Sequence, residues 1–197
     1  MGPKIDFSGD PLACARVLLG SILVRGELRA RIVETEAYDG PFDPGSHAFR
    51  GPTPRSEVMF GPPGRAYIYF TYGMHWCLNV VTRPAGQGSA VLLRAAEPLA
   101  GLEAMYLRRA KALRDEDLLS GPAKLSAAFG LDGSMNGIDL LDPRSELHLE
   151  VGSAPERVLV GARIGLLPGK VDDLPWRFAD GDALRWVSAK KSSLRSS

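Results

Sequence analysis

The sequence of 197 residues lacks the features that mark several large classes of protein. It has two cysteines, Cys14 and Cys77, too few for the disulfide framework of a small secreted domain, and both are expected to be reduced thiols in a cytoplasmic protein. No apolar run is as long as a membrane span, because Gly20 and Ser21 interrupt the longest run near the start. The first ten residues contain no signal-peptide core.

Metal and nucleotide cofactors are also not expected. The three histidines, His47, His75 and His148, are scattered and have no metal-ligand spacing with the cysteines. The turns at 61–64 and 120–122 are rich in glycine and proline but fit neither a Walker nor a dinucleotide-binding pattern. The net charge is only +1, without the marked basic excess that many nucleic-acid-binding domains show.

The order of the predicted elements indicates an α+β fold with a mainly antiparallel β-sheet core. One domain is expected over residues 1–188, followed by a disordered tail at 189–197. Short helices would flank the sheet, and an aromatic β-hairpin would protrude from it. The predicted elements are a helix at 11–19, strands at 21–25, 28–38, 89–96, 146–151, 157–165 and 184–188, a hairpin over 66–82, and helices at about 98–114 and 120–130.

Residues 39–65 form a long irregular segment between two predicted strands. Loops of this length inside a compact domain are usually functional or disordered. The segment contains Phe42, His47, Phe49, Met59 and Phe60, which favours an ordered functional loop over a linker.

Two carboxylates and an aromatic ring share one face of the predicted strand at 28–38. Side chains alternate along a strand, so Glu34, Glu36 and Tyr38 point the same way. Such a face could hold a flat ring and manage a proton or a water beside it. The plainer alternative is that the two carboxylates face solvent or pair with Arg29 and Arg31, and the carboxylate pair alone favours this alternative.

The predicted hairpin carries further aromatic candidates. Tyr67 and Tyr69 share a face that is expected to be open to water or a ligand, whereas Ile68 and Phe70 are expected to face the core. Tyr72 lies at the predicted turn, where little of the sheet can bury it. It is either a wedge of the kind that fills a gap in a base stack or a surface tyrosine packed on a neighbouring loop.

Three polar features stand in otherwise apolar or structural surroundings. Asn79, in the middle of a predicted strand, is either a structural tie or a discriminating contact in a pocket. Arg94 must pair with a carboxylate, for which Glu36 is a candidate, or face a polar cleft. The segment 120–124 opens a helix, where it either caps that helix or, with Lys124, holds a phosphate.

Taken in order, these residues resemble the alkyladenine (3-methyladenine) DNA glycosylase family of the type first known from mammals. The resemblance runs from about residue 11 to about residue 188. The segments that carry it are 31–38, His47, 53–55, 59–60, 63–64, 67–69, 72–74, 77–79, 91–95, 97–98 and 120–124.

The resemblance implies a monofunctional DNA repair glycosylase that flips a damaged purine nucleotide out of duplex DNA and hydrolyses its N-glycosidic bond. Its lesions would be of the 3-methyladenine, 7-methylguanine, hypoxanthine and ethenoadenine types, and its product an abasic site. The implied catalytic residues are Glu36, as the general base that activates water, and Arg94, as its neighbour at the water site. The implied base-binding residues are Tyr38, His47, Tyr69 and Asn79, of which Asn79 would crowd the exocyclic amino group of guanine.

The resemblance also implies contacts with damaged double-stranded DNA outside the base pocket. Tyr72 would enter the duplex from the minor groove, with Met74 beside it. Thr53, Arg55 and the turn that contains Lys124 would contact the DNA backbone. The chain is expected to act as a monomer without a cofactor.

Two other functions stay open at this stage. One is a nucleic-acid-binding module without chemistry, which would have no need for a carboxylate beside phosphates. The other is a glycosidase for free nucleosides, which would need neither Tyr72 nor phosphate contacts. No lysine lies in the inferred pocket, so neither a Schiff base nor strand cleavage is expected.

Overall fold

The computed structural model describes residues 5–166, 173–188 and 191–196. Within these ranges the α+β prediction is confirmed: the chain forms one mainly antiparallel sheet with short helices. The strands are β1 (Ile22–Arg25), β2 (Leu28–Tyr38), β3 (Ala66–Thr71), β4 (His75–Thr82), β5 (Ser89–Ala100), β6 (Leu147–Glu150), β7 (Val158–Gly161), β8 (Arg177–Asp180) and β9 (Arg195–Ser196). The helices are α1 (Pro11–Leu18), α2 (Leu102–Arg108), α3 (Asp115–Leu119) and α4 (Pro122–Phe129), with 3₁₀ turns at Gly40–Phe42, Glu57–Phe60, Gly133–Met135 and Lys191–Ser193.

The two longest strands, β2 and β5, lie in the middle of the sheet. The strand order is β3-β4-β5-β2-β8-β7-β9, and β1 pairs with both β2 and β6. All of these pairings are antiparallel. Because β2 pairs on both sides, its backbone is hydrogen-bonded along both edges, which fixes where its side chains start.

The two faces of β2 have different chemistry. On one face, Thr35 donates a hydrogen bond of 2.9 Å to the carbonyl oxygen of Ala15 in α1, and Ile32 and Ala37 join the main apolar core. The register with β5 shifts between Ile32 and Glu34 and again between Glu34 and Thr35. Such a bulge re-aims side chains, and here it leaves Glu34 on the face opposite the α1 core.

The region after β5 differs from the predicted long helix at 98–114. β5 continues to Ala100, because Pro98 and Ala100 still align with β2. The chain then turns at Gly101, where φ is +77°, into the short helix α2. α2 ends at Arg108, so residues 109–114 are not helical as predicted, and the next helix, α3, begins only at Asp115.

The predicted strand at 184–188 is wrong. The strand in this region is β8, at Arg177–Asp180, which pairs with β2 and β7. Trp186 and Val187 are buried in a small apolar cluster with Val33 and Leu159, so side-chain packing rather than strand pairing explains their apolar character.

The predicted disordered tail also differs where the structure describes it. Within 191–196, Leu194 is buried and β9 pairs with β7. Residues 189, 190 and 197 lie outside the described residues. No helix in the described part of the chain is long and apolar enough to cross a membrane.

The prediction that Ile68 and Phe70 both face the core is wrong for Phe70, at the end of β3. Ile68 is buried as expected, but Phe70 is 44% exposed and packs on Trp76 of β4, with ring centroids 4.8 Å apart. β3 is an edge strand, and the core does not extend as far as this end of the hairpin.

Candidate active site

A cavity of about 320 Å³ opens on the sheet face that carries Tyr38. Strands β2 to β5 supply its floor, the segment 39–65 supplies one wall, and the start of α4 and residues 164–166 supply the rest. Its lining residues include Tyr38, His47, Tyr67, Tyr69, Tyr72, Cys77, Asn79, Leu92, Arg94 and Ile164. The structure therefore brings together all the residues that sequence analysis assigned to a base pocket.

Glu36 lies immediately behind the wall of this cavity. Its carboxylate is fully buried and accepts hydrogen bonds from the Tyr38 hydroxyl at 3.0 Å and the Ile164 N–H at 2.7 Å. The Arg94 guanidinium forms an ion pair with it at 3.3 Å. All three partners line the cavity, whereas Glu36 itself does not and lies directly behind them.

Burial is the largest influence on the pKa of Glu36. It raises the pKa of Glu36 above its ordinary value of 4.5, and the positive charge of Arg94 and the Ile164 N–H only partly oppose that effect. Burial lowers the pKa of Arg94, but the carboxylates of Glu36 and Glu34 outweigh it, and the pKa of Arg94 rises. Arg94 therefore stays charged beside a carboxyl group that is harder to ionise than usual.

Glu34 is not a solvent-facing residue, and it does not pair with Arg29 or Arg31 as the plainer alternative suggested. Its buried carboxylate accepts hydrogen bonds from Arg177 at 2.9 Å and from the Ser188 N–H at 2.8 Å. Arg94 lies 3.6 Å from the same carboxylate. Arg94 therefore lies between two buried carboxylates that belong to one strand.

The two arginines near Glu34 in sequence have other partners. Arg29 pairs with Glu150, and Arg31 pairs with Glu97 and Asp180.

Arg177 and Ser188 are site residues that sequence analysis missed. They precede and follow a turn far along the chain from β2, and no motif links them to Glu34. The only signal was a charged residue, Arg177, inside an otherwise apolar run that includes Phe178 and Ala179. That signal resembles the one that singled out Arg94.

Aromatic rings form one wall of the cavity. The rings of His47 and Tyr69 meet edge to face with centroids 4.6 Å apart, and those of Tyr67 and Tyr69 are 5.4 Å apart. His47 Nδ1 and the Tyr67 hydroxyl are hydrogen-bonded at 2.9 Å. Tyr67 lines the cavity as predicted but is almost fully buried, and burial raises its pKa to about 12. The Asn79 side-chain amide donates a hydrogen bond of 3.0 Å to the Tyr67 carbonyl oxygen, which links β4 to β3. Asn79 also lines the cavity, so both roles considered for it from the sequence are combined in one residue.

The hairpin tip at the rim of the cavity has an uncommon backbone. Tyr72 has φ +52° and Gly73 has φ +65°, and the Met74 N–H donates to the Thr71 carbonyl oxygen at 3.1 Å. Two consecutive positive φ values characterise the type I′ turn, whose first position usually holds asparagine, aspartate or glycine. Tyr72 and Met74 are 79% and 67% exposed, so neither side chain is buried by the sheet.

The other predicted DNA-contacting residues are Arg55, Thr53 and Lys124. Arg55 lies over the ring of Tyr69 at 5.0 Å and donates to the Phe70 carbonyl oxygen at 3.1 Å. Thr53 is hydrogen-bonded to Ser56 and stabilises the turn before Glu57–Phe60. Lys124 lies at the opening of α4, where it donates to Ser120 Oγ at 3.2 Å.

A second cavity, of about 600 Å³, lies between the start of α4 and the end of the chain. Arg94 lines both cavities, and Lys124 and Lys191 line the second one. Among the described residues, no group of three or more histidine, cysteine, aspartate or glutamate side chains could hold a metal ion.

Comparison with known proteins identifies the family. A model of the methylpurine-DNA glycosylase family matches residues 5–183, which include every residue that lines the first cavity. The chain belongs to the methylpurine-DNA glycosylase family. The resemblance inferred from the sequence is thereby confirmed, and the cavity with its buried carboxylate is the candidate site of a DNA glycosylase.

Bacterial relatives match over nearly the whole chain. A protein of Burkholderia cenocepacia is 48% identical over 180 residues, which cover 90% of this chain and 86% of the relative. A protein of Nitrosospira multiformis is 50% identical over 177 residues, with 89% and 88% covered. A protein of Carboxydothermus hydrogenoformans is 49% identical over 183 residues, with 89% and 93% covered. Each is provisionally named a 3-methyladenine DNA glycosylase.

The buried carboxylate of Glu34 is expected to contribute to the free energy of unfolding of this glycosylase. Glu34→Gln is expected to lower the free energy of unfolding by about 3 kcal/mol, because it removes the negative charge that Arg94 and Arg177 share in the interior. Urea unfolding measures the effect. The matched control is Asp142→Asn, which breaks the exposed pair with Arg144 and should change stability little. Equal effects of the two substitutions would contradict this account.

Proposed function

We propose that this DNA glycosylase removes damaged purines from duplex DNA by flipping the nucleotide into the aromatic cavity and hydrolysing its N-glycosidic bond. The observation that carries the proposal is the position of Glu36, a buried carboxylate whose three partners all belong to the cavity wall. The cavity volume of about 320 Å³ is at the lower end of the range for ligand pockets, which suits one nucleoside rather than a longer ligand.

Stacking in the cavity would offset the cost of flipping. Extruding a nucleotide costs a few kcal/mol, and least when the base is damaged or mispaired. Contact with an aromatic ring contributes roughly 1–3 kcal/mol per base. Tyr38, His47 and Tyr69 present such rings to the cavity, and Asn79, held by its bond to Tyr67, would limit the space beside the base.

Glu36 would act as the general base. Cleavage of the N-glycosidic bond develops positive charge on the sugar, and a nearby carboxylate can both orient a water and stabilise that charge. The charge of Arg94 counteracts the effect of burial on Glu36 and so favours the ionised form that a base requires. Tyr38 would serve twice, because its ring lines the cavity and its hydroxyl holds one oxygen of Glu36.

The cavity lining supports hydrolysis by water without a covalent intermediate. Among the described lining residues there is no lysine that could form a Schiff base. Cys77 lines the cavity, but burial raises the pKa of its thiol, which makes it a poor nucleophile near neutral pH. We therefore propose a monofunctional enzyme without lyase activity.

Tyr72 would fill the gap that the flipped nucleotide leaves in the duplex. Its exposure and its place at the rim of the cavity suit a wedge beside the extruded base. Arg55, Thr53 and Lys124 would contact the DNA backbone, and Met74 would lie beside the wedge. A monomeric state remains a prediction from the sequence.

The first test separates chemistry from binding. Glu36→Gln is expected to reduce excision of hypoxanthine or 7-methylguanine from a duplex by about a hundredfold or more, because the amide cannot accept a proton from water. Its affinity for the lesion duplex should stay close to that of the native chain. Alkali treatment of the products reveals abasic sites, and a gel-shift titration measures affinity.

Glu27→Gln serves as the control, since Glu27 is an exposed carboxylate in the turn between β1 and β2. Full activity of Glu36→Gln would remove Glu36 from the mechanism. Turnover of free nucleosides as fast as of damaged DNA would favour a nucleoside glycosidase instead.

The second test is the pH dependence of excision. Because the folded protein raises the pKa of Glu36 above 4.5 and the base must be ionised, activity should fall as the pH is lowered through that raised pKa. Arg94→Met removes the charge that lowers this pKa, so the acidic limb of the kcat/KM profile should move to higher pH. Arg94→Lys keeps a charge there and should move the limb less. An unchanged limb in Arg94→Met would show that another group controls it.

The third test concerns the turn that presents Tyr72. Tyr72→Asn replaces a bulky residue at positive φ by one that tolerates it, so the melting temperature should stay the same or rise, since the strain is worth roughly 1 kcal/mol. Affinity for a lesion duplex should nevertheless fall about tenfold, as expected when an aromatic contact with bases is lost.

Phe42→Ala is the matched control, because Phe42 is also 79% exposed but does not line the cavity. If both substitutions weaken lesion binding equally, the wedge assignment is wrong.

A further inference from the structure

Behind the ring of Tyr38 lies a buried ion pair that the proposed mechanism does not use. The side chains of Arg163 and Asp43 are both 0% exposed, and they form two contacts, of 2.5 Å and 2.9 Å. The guanidinium also donates to the Ala37 carbonyl oxygen at 3.0 Å, next to Tyr38 in β2. A charge buried this completely, against a residue of the proposed base pocket, requires an explanation.

The guanidinium lies over two aromatic rings. Its central carbon is 4.7 Å from the centroid of the Tyr38 ring and 5.0 Å from that of Trp176. Arg163 does not line the cavity, whereas Tyr38 does, so the guanidinium contacts the Tyr38 ring from outside the cavity. Tyr38 therefore separates a fixed positive charge from the space that a flipped base would occupy.

The ion pair is fixed in orientation by its surroundings. Asp43 also accepts a hydrogen bond from the Gly45 N–H at 2.9 Å, and Gly45 lines the cavity. A Cβ atom on Gly45 would lie 3.0 Å from the Arg163 guanidinium and 3.1 Å from the Asp43 carboxylate, so a larger residue here would press on the pair. The pair is thus a fixed dipole whose positive end faces the Tyr38 ring.

A cation on one face of an aromatic ring weakens the attraction of the other face for a second cation. Aromatic rings bind cations through the negative charge of their faces, and a guanidinium already held there opposes a like charge placed opposite. Purines alkylated on a ring nitrogen, such as 7-methylguanine, carry a positive charge, whereas hypoxanthine is neutral. The stacking surface should therefore discriminate between these two classes.

We propose that Arg163, paired with Asp43, is a specificity-determining residue that weakens the stacking of cationic purines on Tyr38 relative to neutral purines. This inference rests on the proposed function, because it assumes that the flipped base stacks on Tyr38. Arg163 acts through the Tyr38 ring and does not touch the base itself.

The test compares how tightly duplexes with a cationic and a neutral lesion bind. Both duplexes carry 2′-fluoro sugars at the lesion, which resist hydrolysis, so that affinity is measured without excision. In Asp43→Asn/Arg163→Gln the pair becomes neutral and its amides can still bond to each other. The affinity for 7-methylguanine relative to hypoxanthine is expected to rise about two- to fivefold, the size of a cation–π contribution at a partly exposed site.

Arg163→Lys is the matched control, because it keeps the positive charge beside Asp43 and should leave the affinity ratio close to that of the native chain. Asp43→Leu/Arg163→Met provides a second neutral pair if the first one does not fold, as judged by thermal unfolding. A purely structural role of the pair would weaken binding of both lesions by the same factor and leave the ratio unchanged, which would overturn the inference. If the native chain binds neither lesion more tightly than undamaged DNA, the proposed function fails instead.

Discussion

The site depends on one arrangement, a single guanidinium held between two buried carboxylates. Arg94 of β5 lies 3.3 Å from Glu36 and 3.6 Å from Glu34 of β2. Buried charges are costly unless their partners are well placed, and here the partners come from the central strands of the sheet. Arg177 and the Ser188 N–H supply the further contacts that Glu34 needs. Glu36 is thereby left with Arg94, Tyr38 and Ile164, all of which border the cavity. The sheet provides the rigid support, and the loops provide the walls of the cavity.

Much of this fold could be predicted because its signals are local. Asp10 and Pro11 mark the start of α1, and the alternation in 34–38 places Glu34, Glu36 and Tyr38 on one face. The sequence predicts β5 only as far as residue 96 and a helix from about residue 98, because leucine, alanine and arginine favour helices. The strand in fact continues to Ala100, because it pairs with β2, and that pairing cannot be predicted from the sequence. The same limitation explains Trp186 and Val187, which pack on the sheet without joining it.

The site was less predictable than the fold, since its contacts join residues that are far apart in the chain. Arg177 is 143 positions from Glu34, and Arg163 is 120 positions from Asp43. Resemblance to a family identified the residues that face the cavity. It did not identify Arg177, Ser188 or Arg163, because the importance of these residues lies in what they pack against. Glu34 shows this best: its sequence position favoured a pairing with Arg29 or Arg31, whereas the bulge in β2 turns it toward Arg94 and Arg177.

The two carboxylates of β2 also affect which alignment of β2 with β5 is stable. If β2 aligned one residue out of step with β5, every side chain of the strand would change faces. Glu34 and Glu36 would then point toward the apolar contacts of α1, away from Arg94, where they would be buried without an ion-pair partner and could avoid a bare charge only by taking up a proton. The acidic residues therefore also favour the native strand alignment over a shifted one.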